Sequence, residues 1–310
     1  MELDQVKILE AIKASGVVGE ALEEGARLVD HWIEEAAEFD SENETLAVEE
    51  KFYIELDPLT FVVGTQDRIF RTPEGEVCGS EWKSTKHRTK FWNEEEWFGS
   101  ISKSHQVVTY AAGLRYGSFL SGVSFSGVGS PTRILVRAVS KSNPPELWPD
   151  YRGRFVHVGS DRLVATMGAY SATAAAIRAM RRTGEHIWQV PGLQCENKFR
   201  KVCPFYESCL ASEVVPTRLG LDSVLRGFSP GSKTIVQHLV DVGKINVDNV
   251  GEVVVLSASS LSSYQQCPER WRREAGSAGE EESEALDVGT VLHAGLAALY
   301  EQQMKKGEGK

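Results

Sequence analysis

The sequence predicts a mixed α/β fold in which a central mixed sheet is flanked by helices. Three observations carry this. Helical periodicity covers the first 40 residues, short β-prone runs recur from about 46 to 139, and further helical segments fall at 160–182 and 288–303. Apolar residues recur every three to four positions in the helical segments and every second position in the short runs.

In chain order, Ile8, Leu9 and Ile12 define one apolar face. Leu22, Ala26, Val29, Ile33 and Ala36 define a second, with Trp32 on its flank. Residues 40–44 read as a loop. The alternation of Phe52 and Ile54 marks a strand over 46–56, and a second spans 61–70, its regular part ending near Asp67. The turn Thr72-Pro73-Glu74-Gly75 leads into a third strand, 76–85, so the three form an antiparallel meander. A helix is expected over 100–114, a strand over 132–139 and an edge strand over 154–158. The alanine-rich run 160–182 is the longest helix, capped by Ser160 or Asp161. Beyond the polar segment 195–209, a helix is expected at 233–242, a short strand at 252–256 and a helix from Ser257 that carries Tyr264 and Cys267. A last helix, 288–303, carries His293, and the tail 304–310 is expected to be disordered.

A chain of 310 residues can bury one large core or two modest ones. No run approaches a membrane span. The acidic N-terminus is unlike a secretory signal, so a reducing cytoplasm is expected, where clustered cysteines are ligands more often than disulfides. The formal net charge of −10 argues against nonspecific coating of nucleic acid. An enzyme acting on nucleic acid needs only a local basic groove, and Lys83, Lys86, His87, Arg88 and Lys90 form such a run.

Asp67 and the Glu81-Trp82-Lys83 element carry the chemistry. A strand puts Glu81 and Lys83 on one face and Trp82 on the other, pointing into the core. Asp67, on the adjacent strand, can reach the same cleft. Asp67 and Glu81 then offer hard oxygen ligands to Mg²⁺ or Mn²⁺. Lys83 is suited to orienting a water or neutralising a phosphate. Gln106 and Tyr110, at i and i+4, share a helix face and can hold the lysine or a backbone phosphate. Each element alone also suits an ordinary solvated surface.

Together, in this order, they resemble the PD-(D/E)XK nucleases, specifically the RecB-like exonuclease branch. That branch includes the iron–sulfur nucleases of CRISPR adaptation, the AddB-type helicase–nuclease subunit and many phage exonucleases. The resemblance implies a restriction-endonuclease-like core with Asp67, Glu81, Lys83, Gln106 and Tyr110 as its catalytic set. The branch also has a helix with the pattern Gly-Thr-x-x-His, whose histidine binds the metal. Here that pattern is Gly289-Thr290-Val291-Leu292-His293.

Cys195, Cys203 and Cys209 form one group, and Cys267 stands apart, preceded by Ser259, Leu261 and Tyr264 and followed by Pro268. Thiolates suit either an iron–sulfur cluster or zinc, and the spacings lack the Cys-x₂-Cys pairs usual for structural zinc. The resemblance implies one 4Fe–4S cluster held by all four. Cys78 is read as a small buried hydrophobe.

The order of segments departs from the branch, whose cysteine-and-histidine segment comes first. The chain reads as a helical segment (1–45), a nuclease core with the cysteine triad (46–210), a bridge (211–254) and the displaced segment (255–310). Three explanations stand: circular permutation, the truncated start of another copy, and a tail exchanged between protomers. The function implied is a metal-dependent DNA exonuclease acting on single strands or ends, in recombination, repair or phage DNA processing. A homo-oligomer or a helicase or recombination partner is compatible with it. The alternatives are a catalytically inactive iron–sulfur protein that binds DNA or joins a complex, and a zinc module. Trp92 and Trp97 are candidates for base stacking.

Overall fold

Two glycines with positive φ, Gly16 (78°) and Gly19 (70°), interrupt the N-terminal helical run, since that backbone carries no steric penalty without a Cβ. They separate α1 (Gln5–Ala14) from α2 (Glu20–Glu42). The Asp4 side chain caps α1 by accepting from the Lys7 amide. Ile8 and Ile12 are buried, whereas Leu9 is 50% exposed and leaves the expected face. One residue turns the chain by 100°, so positions 8 and 12 align and 9 does not. Along α2 the buried stripe is Ala21, Gly25, Leu28, Val29, Trp32, Ala36 and Asp40. Trp32 is therefore at its centre rather than its flank, and Leu22, Ala26 and Ile33 lie at half-buried margins. The helix also absorbs most of the loop expected at 40–44.

The computed structural model describes residues 4–85, 94–125, 133–140, 150–183, 230–246, 252–267, 271 and 284–307. They fall into two units: Met1–Phe52, Thr65–Leu163 and Glu281–Lys310 form the first, Tyr53–Gly64 and Val164–Glu280 the second. The basic run 86–90 and Trp92 lie outside the described residues.

The strands are β1 (Glu44–Asp57), β2 (Thr60–Arg71), β3 (Val77–Thr85), β4 (Ser118–Phe119), β5 (Arg133–Ser140) and β6 (Asp150–His157), in the sheet order β4-β1-β2-β3-β5-β6. β2 does not lose regularity at Asp67 but runs on to Arg71. Its antiparallel pairing with β3 covers Arg68–Arg71, opposite Ser80–Val77. β3 pairs in parallel with β5, and β5 antiparallel with β6, so the sheet is mixed as expected. A parallel pair needs a crossover, and here it contains α3 (Glu94–Ser102) and α4 (His105–Tyr116). The single helix expected over 100–114 is two, because Ser104 accepts from the Val107 amide and starts α4 afresh.

In the second unit, α5 (Ser160–Thr183, from Val164 on), α6 (Pro230–Asp241), β7 (Val254–Leu256) and α7 (Ala258–Gln266) follow. α6 begins at Pro230, three residues before the expected start, since proline is favoured in a first helical turn. β7 pairs in parallel with Thr60–Val62. Arg178 donates to the Leu59 carbonyl and the Thr60 hydroxyl, Arg181 donates to the Val253 carbonyl, and Arg182 pairs with Glu252. Three arginines of one helix end thus satisfy two loop carbonyls and a surface carboxylate.

The core of the first unit forms around α8 (Glu284–Gly307), which packs on α1 and α2. Two glycines allow the close approach. A Cβ on Gly25 would lie 2.5 Å from the Val291 side chain, and one on Gly295 would lie 2.6 Å from that of Val29. The tail expected to be disordered is helical through Gly307. Gln302 holds it by accepting from the Asp4 amide (3.0 Å) and donating to the Asp4 carbonyl (3.2 Å), and Thr45 donates to Gln303 (3.2 Å).

Beneath α8 lies a buried polar network. Asp40 accepts from Arg68 (2.5 Å), Arg137 (2.9 Å) and Tyr300 (2.7 Å). Two guanidinium groups share one carboxylate, and aromatic rings face the excess positive charge. Arg68 lies 4.1 Å from the Tyr300 ring centroid and Arg137 4.9 Å from that of Trp32.

Candidate metal centre

β3 presents two chemistries to two sides. Trp82 is fully buried toward α8, its ring stacked on Tyr300 at 5.3 Å. Glu81 and Lys83 alternate with it and face α4. There Lys83 Nζ donates to Gln106 Oε1 at 3.0 Å, and Gln106 Nε2 donates to the Tyr110 hydroxyl at 2.9 Å. Lys83 also makes a close ion pair with Glu81. Gln106 and Tyr110, one turn apart on α4, thus hold the lysine through a chain of side-chain hydrogen bonds.

Asp67 joins this group from β2. Its Oδ2 accepts from the Trp82 backbone amide at 2.6 Å, just beyond the stretch in which Arg68–Arg71 pair with β3. The side chain takes the place of a ladder bond, which locks its orientation. His293, from α8, brings Nδ1 to 3.7 Å from Asp67 Oδ1 and 3.2 Å from Glu49 Oε1. Ligand atoms of Glu49, Asp67 and His293 all lie within 4.8 Å of one another.

Glu49 is absent from the residues expected from sequence. It occupies β1 with φ of 48°, a left-handed conformation uncommon for a side-chain-bearing residue and frequent at functional sites. Its signal is a break in alternation: burial alternates before it, at Thr45 and Ala47, and is continuous after it, over Phe52, Tyr53 and Ile54. In the sequence it shows as three successive polar residues, Glu49, Glu50 and Lys51.

The electrostatics suit a cation. Burial, reinforced by the nearby Glu81, pushes the Asp67 carboxyl well above its usual range. Burial opposes charge on Lys83, but Glu81 outweighs it and keeps the ammonium more basic than usual. Burial likewise opposes charge on His293, yet Asp67 and Glu49 raise it to about 9. Burial, then Glu81 and Asp67, raise the Tyr110 hydroxyl, which stays protonated. Glu81 is 1% exposed and its Oε2 has no hydrogen-bond partner among the described residues. Crowded carboxylates with a buried, unsatisfied oxygen are short of positive charge. Two hard oxygens and one imidazole nitrogen fit Mg²⁺ or, better for the nitrogen, Mn²⁺.

Of the expected residues, the structure thus gathers Asp67, Glu81, Lys83, Gln106, Tyr110 and His293. The three-ligand group contains Glu49 where Glu81 was expected, while Glu81 pairs with Lys83 through its other carboxylate oxygen. Cys267 ends α7 in the second unit, while Cys195, Cys203 and Cys209 lie outside the described residues. Cys78 and Cys267, the cysteines described, form no disulfide. Trp97 meets Phe98 edge to face at 4.8 Å.

The family model of the PD-(D/E)XK nuclease superfamily matches residues 255–310, the segment that carries Cys267 and His293. The mixed sheet flanked by helices is consistent with the fold of that superfamily, and the match points to a nuclease. No curated protein matches the chain. Among the described residues no helix is long and apolar enough to cross a membrane.

Proposed function

We propose that the chain is a metal-dependent DNA exonuclease of the RecB-like branch, with its first motif segment displaced to follow the core. The observation that carries this is the approach of His293, from the matched segment, to Asp67 and Glu49 of the core. Asp67, Glu49 and His293 hold the ion, and Glu81 is placed to join them through its unpartnered oxygen. A bound Mg²⁺ or Mn²⁺ supplies an acidified water and charge stabilisation on the phosphate. Lys83, kept charged by Glu81, donates hydrogen bonds to phosphate oxygens or to the attacking water. Gln106 accepts one hydrogen bond from the ammonium and fixes its direction, and Tyr110 fixes Gln106.

The reciprocal hydrogen bonds of Asp4 and Gln302 support circular permutation over a truncated copy, since α8 leads back toward α1 as the usual segment order requires. A 4Fe–4S cluster on Cys195, Cys203, Cys209 and Cys267 is part of the same reading. Its role is structural, and Cys267→Ala and Cys203→Ala should each lose the iron of anaerobically purified protein. Full iron retention in Cys267→Ala would remove that cysteine from the set.

The test of activity is cleavage of end-labelled single- and double-stranded DNA with Mg²⁺ or Mn²⁺, beside Lys83→Ala. Shortening from the ends that disappears in the variant is expected. Absence of cleavage by folded, cluster-loaded protein that still binds DNA overturns the enzyme reading in favour of a binding role.

A further inference from the structure

α8 and β2 meet at two points. At one, His293 approaches Asp67. At the other, the ring of Tyr300 covers Arg68, the next residue of β2. His293 and Tyr300 are seven positions apart and share a helix face. Trp82 of β3 lies between them, stacked on Tyr300 and 5.5 Å from the His293 ring.

The Tyr300 hydroxyl is fully engaged. It donates to Asp40 Oδ2 at 2.7 Å and accepts from Arg137 Nη1 at 2.8 Å and Trp32 Nε1 at 3.1 Å. These partners come from α2 and β5, so the three bonds converge from different elements. A slide of α8 by one residue turns it through 100° and moves it about 1.5 Å, which would break all three. The notches at Gly25 and Gly295 set how closely α8 approaches α2, but apolar contact tolerates rotation that a buried hydroxyl with three partners does not.

We propose that Tyr300 is a positioning residue for the metal centre: its hydroxyl, held by Asp40, Arg137 and Trp32, sets the rotation and axial position of α8 at which His293 faces Asp67 and Glu49. This rests on the metal-site reading above. Removing the hydroxyl leaves the ring on Trp82 and Arg68 while freeing the helix to turn.

The experiment is calorimetric titration of the full chain with Mn²⁺, using the wild type, Tyr300→Phe, His293→Ala and the double variant. Tyr300→Phe should weaken binding about 10-fold, in the range for groups standing behind a metal ligand. The double variant should bind as His293→Ala does, because the hydroxyl acts only through the histidine. Wild-type affinity in Tyr300→Phe, with weakened binding in His293→Ala, overturns the positioning role alone. An equal loss from Tyr300→Phe in both backgrounds also overturns it. Wild-type affinity in His293→Ala overturns the metal-site reading itself, and the positioning role with it.

Discussion

Replacing Asp40 by Asn tests the buried network that fixes α8. The substitution keeps the side-chain volume and removes the carboxylate shared by Arg68 and Arg137. Both guanidinium groups are essentially inaccessible to water, so neither can recover the lost interaction by hydration. Removing one partner of a buried ion pair costs about 3–5 kcal/mol. The cation–π contacts survive, and the amide oxygen still accepts one bond, which puts the expected loss near the lower end, about 3 kcal/mol at pH 7. Against a typical stability of about 5–15 kcal/mol the protein should still fold. The effect should depend on pH. Burial alone would raise the Asp40 carboxyl, but Arg137 and Arg68 outweigh it and hold it below its usual value. A depressed carboxyl contributes stability that is present above its unfolded-state value of about 3.9 and is lost as pH falls through the folded value. The gap between wild type and Asp40→Asn should therefore be constant near neutrality and narrow below about pH 4. Urea unfolding followed by tryptophan fluorescence at several pH values measures it. A gap under about 1 kcal/mol at pH 7, or one that widens on acidification, refutes the reasoning.

Gly295→Ala should destabilise by about 1–2 kcal/mol even though alanine is the better helix former, because its Cβ meets Val29 at 2.6 Å. A rise in melting temperature would show that α8 and α2 part easily. Cys78, pushed up to about 12 by burial and by Glu76, should resist iodoacetamide at pH 8 in the native protein and react once unfolded. Peptide mapping reads the site directly, and rapid native labelling would contradict its burial. His293→Ala and Lys83→Ala should separate two losses: the first lowers Mn²⁺ affinity, the second abolishes cleavage while affinity changes little. Equal loss of affinity in both would mean that Lys83 shapes the ion site rather than serving the phosphate.

The sheet was legible because strand periodicity is local: two-residue alternation and the Pro73–Gly75 turn suffice to set β2 against β3. That Glu81 and Lys83 share one side of β3 with Trp82 on the other was legible for the same reason. Glu49 was not legible, because the alternation that would have placed it breaks off there. The centre of the α2 stripe was misjudged since Ala21, Gly25 and Asp40 are buried for reasons of fit and pairing rather than hydrophobicity. Leu9 went the other way: an apolar residue one step off the face stays in water. The helical tail was hidden because its order comes from hydrogen bonds to Asp4 and Thr45, partners nearly a whole chain away.

That distance has a consequence for the birth of the molecule. His293 and Glu49 are 244 residues apart, and closing so long a loop carries a length-dependent entropy cost of about 5 kcal/mol. Contacts of such separation form late in folding, and during synthesis the earlier residues emerge and collapse first. A nascent chain therefore passes through states in which the sheet, Asp67, Glu81 and Lys83 can exist without the histidine. On the nuclease reading, such a state has the sheet but not the histidine of its metal centre, which is completed only when α8 docks.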